Sequence, residues 1–366
     1  MGKIGIVTLF GYQNYGNRLQ MYATQKIYEK LGYKPEIIRH DLQRSFKSSF
    51  KKNVYNFYGF LFNYSEKKIK KTKEKRFKEH AKNNIIESEI KIKANKIPSN
   101  FHENYSYFSV GSDQIWSPVN YRISDYIFLK FAPKYKRIAL APSISRPDIS
   151  ENIIEKFKQG FNGFPVLSVR ENEGKELIKK ITKKDAEVLV DPTMILTKNE
   201  WIEFSENHML KNSKKNILTY FLGDVPDKAK EILDKYSKND KYEIIELNSL
   251  RMKKYYDANP SEWVDFVKDT NLFLTDSFHG VAFALVLETS FAVYERIGGK
   301  AMNSRITTIL KRFNLEKRFE LDKNSVDLFK IDFSNVESIL AEERTKVINH
   351  LSKTFNIINE IKNESA

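Results

Sequence analysis

The chain has 366 residues, enough for about two domains that each bury a core, and 62 Lys plus Arg against 47 Asp plus Glu give it a formal net charge of +15. That excess favours anionic partners, whether phosphorylated metabolites, a membrane face or nucleic acid, without choosing among them. The absence of cysteine excludes a disulfide framework, a thiolate zinc site and a cysteine nucleophile. An aromatic content of 13%, with 26 Phe and 19 Tyr, argues against disorder, because such a chain has ample surface to bury. Lys3 to Phe10 is too short and wrongly flanked for a signal peptide, and no apolar run approaches the ~18 residues of a membrane span. A soluble cytoplasmic protein is expected, at the inner membrane face if it touches lipid.

Lys3 to Phe10 is rich in Ile, Val and Leu, as a central parallel strand should be. A Gly-bearing corner, Gly11 to Arg18, opens a helix running to Leu31 with Gly32 as its C-terminal stop, and Glu36 to His40 reads as the next strand. The glycines have the spacing of a P-loop, but Asn17-Arg18-Leu19 stands where that motif needs Lys and a hydroxyl, and the dinucleotide fingerprint is absent. What remains is a corner able to bring Asn17 and Arg18 to the sheet's ligand edge, or simply a helix start with an exposed arginine. Residues 47–96 are dense in lysine with interspersed Phe and Tyr. Such runs are mostly solvated helix faces; the other reading is a surface that rests on anionic lipid.

Tyr105 to Val110 is a strong strand that delivers Gly111-Ser112-Asp113-Gln114-Ile115-Trp116 at its carboxyl end. Asp113 is the sole carboxylate of that corner, a candidate functional group or else an N-cap. Arg137 to Pro142 is a strand ending in Ser143 and Ser145. Pro165 to Val169 is another, followed by Arg170-Glu171-Asn172 and a helix to Ile181. Arg170 could grip a carboxylate or phosphate in bidentate fashion, or pair with Glu171 or Glu173. Glu187 to Val190 is a further strand, closed by Asp191-Pro192.

The pattern restarts after Thr197. Asn216 to Leu222 is a strand, Pro226 to Tyr236 a helix, Tyr242 to Glu246 a strand, and Ser261 caps a helix to Thr270. Asn271 to Gly280 then reads as strand, tight corner and helix start, with Asp276 and Ser277 as N-cap candidates and His279 in the first turn. A helix N-terminus at the carboxyl end of a strand offers free N–H groups to an anion, and His279 would add a proton donor beside it. Phe291 to Arg296 is a strand, Gly298-Gly299-Lys300 a loop, Asn303 to Arg312 a helix, and Val336 to Lys362 a long amphipathic helical region expected to cover part of the other domain. The expected division is 1–197 as an N-terminal Rossmann-like domain with a Lys-rich insertion at about 47–96, 198–315 as a second Rossmann-like domain, and 316–366 as a helical extension.

Polar corners in two α/β domains imply a cleft between them. Asn17, Arg18, Asp113, Ser143 and Arg170 would line one wall, and Ser277 and His279 the other with Arg296 or Arg305 close by. The six histidines lack metal-ligand spacing, so no metal site is expected and no cofactor is required. The ordered set Asn-Tyr-Gly-Asn-Arg-Leu-Gln (14–20), Gly-Ser-Asp-Gln-Ile-Trp (111–116), Ser-Val-Arg-Glu (168–171), Asp-Pro-Thr (191–193) and Ser-Phe-His-Gly (277–280) resembles the polysaccharide pyruvyl transferase family. The resemblance implies a GT-B-like α/β fold of two Rossmann-like domains with an interdomain cleft. It also implies transfer of pyruvate from phosphoenolpyruvate, as a ketal, to a sugar of a surface polysaccharide or its lipid-linked precursor. Members carry Arg-Leu-His where this chain has Ser277-Phe278-His279, so Arg170 would need help from Arg305 or Arg18 in holding the donor. Ser277, Phe278, Asn17, Gln114 and Ser143 complete the expected substrate contacts. His279 is expected as acid and Asp113 as base, with the opposite assignment open. The expected partners are phosphoenolpyruvate and a sugar, oligosaccharide or lipid-linked glycan, with peripheral contact to anionic membrane conceivable and no nucleic acid. The alternatives are a GT-B glycosyltransferase using a nucleotide sugar and a non-catalytic polyanion-binding protein.

Overall fold

The strand-rich, apolar N-terminal stretch forms β1 (Lys3–Val7), in which Ile4, Ile6 and Val7 are fully buried. A computed structural model describes residues 2–11, 14–41, 64–93, 96–205, 214–297, 303–325 and 327–364. After β1 come α1 (Tyr15–Lys30), β2 (Lys34–Asp41), α2 (Tyr64–Asn84), β3 (Glu87–Lys93), β4 (Tyr107–Val110) and β5 (Arg137–Ala139). The five strands pair in parallel in the order β3-β2-β1-β4-β5. Sheet growth reverses between β1 and β4, which opens a crevice beyond their carboxyl ends. Gly111, at φ +125, stands at that edge; a Cβ there would lie 2.1 Å from the Leu140 carbonyl oxygen, so only glycine lets the two backbones approach.

The first domain continues through α3 (Ser124–Ile127), α4 (Glu151–Asn162), β6 (Ser168–Val169), α5 (Asn172–Thr182) and β7 (Glu187–Val188). Strands β6 and β7 make a separate parallel pair. The Ser168 hydroxyl ties that pair to β5, accepting from the Ala141 amide at 3.0 Å and donating to the Ala139 carbonyl at 2.7 Å. The expected strand from Arg137 stops at Ala139 because Ala141 turns to φ +47, out of the extended region.

The second domain holds α6 (Lys198–Phe204), β8 (Lys215–Tyr220), α7 (Asp227–Ser237), β9 (Tyr242–Glu246), α8 (Lys253–Tyr256), α9 (Pro260–Asp269), β10 (Leu272–Thr275), α10 (Phe278–Val286), β11 (Phe291–Val293) and α11 (Asn303–Arg312). Its sheet is parallel in the order β11-β10-β8-β9, with a second crevice between β8 and β10. Helix α9 is capped by Asn259 and Glu262 in a reciprocal capping box, not by Ser261. At α10 the cap is Ser277, which accepts from the Gly280 amide at 3.3 Å, while Asp276 accepts from the Leu222 and Gly223 amides and so closes the β8 corner. The Gly298-Gly299-Lys300 loop lies outside the described residues.

The two domains share a core. Tyr15, in the first turn of α1, stacks on Trp263 and donates to the Ala258 carbonyl at 2.9 Å. The last helix, α12 (Val336–Glu364), crosses back over the first domain. Its Glu343 pairs with Arg312, Lys346 reaches the Val188 carbonyl, and Phe355 stacks on Tyr33. Helix α2 is more than a solvated lysine face: Phe77 is fully buried, Arg76 pairs with Glu262 at 2.7 Å, and His80 Nε2 lies 2.7 Å from the Ser261 hydroxyl. The rest of the Lys-rich stretch, at 47–63 and 94–95, lies outside the described residues.

Burial, with a smaller push from Arg18, lowers the His80 imidazole to about 4. Unfolded, a histidine titrates near ~6.5, so the unfolded chain takes up this proton first. The stability contributed by neutral His80 is therefore complete above that value and is lost as pH falls toward 4. Between pH 7 and pH 4.5 the loss amounts to roughly 2–3 kcal/mol. Urea denaturation of wild type and His80→Gln at both pH values checks this, since the variant keeps a polar group for Ser261 but drops that part of the acid sensitivity.

Candidate active site

Helix α1 organises the first crevice through Asn17 and Gln20, one turn apart. Asn17 donates to the Leu9 carbonyl at 2.7 Å and to Asp113 Oδ2 at 3.2 Å, and accepts from the Gly11 amide. Gln20 donates to the Thr8 hydroxyl and accepts from the Ser112 amide at 3.0 Å. The corners after β1 and β4 are thereby locked to one helix. Asp113, at φ +52 and half-buried, also accepts from the Gln114 amide at 2.8 Å.

The centre of the site is Asp191, fully buried just after β7. Its Oδ1 accepts from the amide and hydroxyl of Thr193, as an N-cap does. Its Oδ2 accepts from the Ser112 hydroxyl at 2.9 Å and from Arg170 Nη1, and His279 Nε2 stands 3.7 Å away. Burial pushes this carboxyl up, yet Arg170, His279 and Thr193 together outweigh it and hold the group well below the usual carboxylate range. Arg170 thus pairs with Asp191, and neither Glu171 nor Glu173 takes that place. Glu171 turns instead to the next strand end, where Oε1 accepts from the Ile144 and Ser145 amides and the Ser143 hydroxyl.

His279 comes from the second domain, in the first turn of α10, and its ring lies against Gly16 in the first turn of α1. A Cβ on Gly16 would fall 2.1 Å from His279 Nδ1 and 2.3 Å from Cγ. Two helix N-termini therefore meet at one imidazole, each adding a partial positive charge. The Phe278 ring lies 4.3 Å from the Arg170 guanidinium carbon and 5.8 Å from that of Arg305. Arg305, buried on α11, is held by Gln114: with its amide oxygen turned toward α11, that side chain accepts from Nη2 at 2.5 Å and Nη1 at 3.0 Å. Burial first, and then repulsion from Arg170, lowers Arg305 to about 10, while Glu171 and Asp113 act in the opposite direction. Arg170, Asp191, Phe278 and Arg305 line a hollow of about 10 Å³, the space of a single water.

His279, Arg170, Phe278, Arg305, Gln114, Asp113, Asn17 and Ser277 are thus gathered around the meeting point of the two crevices. Two expected contacts are not. Arg18 is buried with Nε on the Gly11 carbonyl and its guanidinium over Phe10, so it braces the loop after β1. Ser143 is fully buried, its hydroxyl engaged by Ser145 and Glu171. Asp191 and Ser112 are the two site residues not expected from the sequence. The available signal was the Asp-Pro-Thr motif, which also reads as an ordinary cap.

Among solved structures, a Staphylococcus aureus MnaA–UDP co-structure superposes with a TM-score of 0.51 at 11% identity, covering 98% of this chain and 98% of that one. UDP-GlcNAc 2-epimerase from Neisseria meningitidis, bound to UDP-GlcNAc, gives 0.46 at 10% identity, over 94% and 100% of the two chains. The first of these, at 0.51, is a likeness of fold alone: a GT-B-like pair of Rossmann-like domains. No curated protein matches the sequence. The family model described as polysaccharide pyruvyl transferase matches residues 14–296, a span running from the cap of α1 to Arg296 and including every motif around Asp191, and the chain belongs to that family of transferases.

Proposed function

We propose that the chain takes pyruvate from phosphoenolpyruvate and closes it as a ketal on two hydroxyls of a glycan acceptor, in the cytoplasm, on a surface polysaccharide or its precursor. The observation that carries this reading is a set of buried donors without acceptors, Nε and Nη2 of Arg170 and Nε2 of His279, in two side chains that stand together at Asp191, Arg170 bonded through Nη1 and His279 3.7 Å away. A buried donor left unpaired costs about 1–3 kcal/mol. A small acid with a carboxylate at one end and a phosphate at the other supplies acceptors to all of them, and the α1 and α10 N-termini favour its charge. Arg305, beside Phe278, is the cation that joins Arg170 in holding the donor. The present hollow admits about one water, so donor entry requires Phe278 and Arg305 to move apart.

In the reaction, His279 protonates the methylene carbon, turning it into a methyl group, while one acceptor hydroxyl oxygen bonds to C2. Asp113 takes the proton of that hydroxyl. The second hydroxyl then bonds to C2 as the C2–O bond to phosphate breaks, and its proton leaves with the phosphate. Asp191 keeps Arg170 and His279 in register throughout and takes no part in bond making.

Incubation with phosphoenolpyruvate and with a panel of nucleotide sugars separates this reaction from glycosyl transfer: phosphate release from the first is expected, and consumption of a nucleotide sugar instead would overturn the proposal. His279→Gln is expected to lose at least ~10²-fold in turnover, the contribution of a positioned proton donor; near wild-type phosphate release would remove His279 from the mechanism. Gly16→Ala should leave α1 folded, because alanine is favoured in a helix by up to ~1 kcal/mol. It should nevertheless lower turnover by more than tenfold, since its methyl group displaces the imidazole. Asp191→Ala strands Arg170 in a buried site and should cost about 3–5 kcal/mol in urea denaturation.

A further inference from the structure

Helix α2 buries one face, through Lys73, Phe77, His80 and Ala81, against the domain interface. On the opposite face the spacing is regular. Lys67, Lys71, Lys75, Lys78 and Lys82 recur at intervals of four, four, three and four residues, all exposed, with exposed Lys68 alongside. At 3.6 residues per turn these six cations fall within one stripe about 100° wide and about 22 Å long. Two glutamates temper it: Glu74 lies 2.6 Å from Lys78 and Glu79 3.6 Å from Lys75. Surface pairs of this kind are weak and dissolve readily in favour of a denser anion. Lys68, Lys71 and Lys82 have no carboxylate partner among the described residues.

We propose that this stripe docks the protein peripherally on an anionic lipid bilayer. A straight row of lysines suits a flat array of phosphates, and each near-surface lysine raises the partition by about fivefold. A bilayer meets the whole length of such a row at once, where the curved phosphate backbone of a nucleic acid meets only part of it. Attachment is peripheral, since among the described residues no helix is long and apolar enough to cross a membrane. The geometry also has a consequence for the transferase. Lys73, on the inner face of α2, lies 4.8 Å from the Tyr15 ring, and the neighbouring Gly16 touches His279. One helix diameter, about 10 Å, thus separates the docked surface from the start of α1, within reach of an acceptor carried in the same bilayer. The docking itself does not depend on the identity of the donor.

The test is co-sedimentation of the full chain with vesicles of phosphatidylcholine containing 30 mol% phosphatidylglycerol and with vesicles of phosphatidylcholine alone, at low and high salt. Binding is expected only to the anionic vesicles, with a loss of at least tenfold at 0.5 M salt. The variant with Lys67, Lys71, Lys75, Lys78 and Lys82 replaced by Gln should bind at least 100-fold more weakly with an unchanged melting temperature, because the face is exposed. A second variant, with Lys158, Lys179, Lys180, Lys230 and Lys238 replaced by Gln, removes the same charge elsewhere on the surface and should bind within a few-fold of wild type. Equal loss in both variants would mean that overall charge, not the stripe, is responsible, and would overturn the proposal. So would binding to duplex DNA with no binding to the anionic vesicles.

Discussion

A carboxylate removed from water is tolerated only when its lone pairs are taken, and Asp191 meets that condition with hydrogen bonds from three segments, while His279 of a fourth stands 3.7 Å from Oδ2. Ser112 arrives from the end of β4, Arg170 from the end of β6, Thr193 from the turn after Asp191, and His279 from the other domain. Buried pairs of this kind often add little net stability over an apolar replacement. What the arrangement secures is position: one oxygen, Oδ2, faces both the guanidinium and the imidazole, so the two groups cannot drift independently.

The same economy of placement governs the approach of the two domains. Each sheet reverses its growth once, and each reversal leaves a helix N-terminus at the carboxyl edge. Gly16 allows these two helix starts to touch through His279, while Tyr15, one residue earlier, anchors α1 against Trp263 and Ala258. The aromatic packing therefore sets the distance across which the polar groups meet. Helix α2 and the returning α12 brace this joint from outside, by Arg76–Glu262 on one side and Arg312–Glu343 with Lys346 on the other.

A GT-B-like scaffold is compatible with several chemistries, and fold alone does not select one. Membership of the transferase family narrows the choice. Asp276 occupies the Leu222 and Gly223 amides at the β8 corner and holds Arg296, so that edge of the second crevice is internally satisfied. The unpaired donors lie instead around Asp191, between the domains, beside a hollow that holds about one water.

Much of this was legible in the sequence. Alternating apolar strands and capped helices depend on neighbours a few residues away, so the order of elements, the polar corners at strand ends, His279 in the first turn of α10 and the family motifs could all be read from the chain. Caps were less secure: Asn259 took the place expected of Ser261, because Pro260 at the first helical position and Glu262 at the third complete a box around Asn259. Tertiary structure alone decided which charges meet. Asp191 and not Glu171 takes Arg170, Arg305 reaches the site from α11 while Arg18 turns back onto its own loop, and the lysines of α2 sort into a buried Lys73 and an outward stripe. The physical reason is that a long charged side chain is placed by whatever packs around it, and those neighbours lie tens to hundreds of residues away.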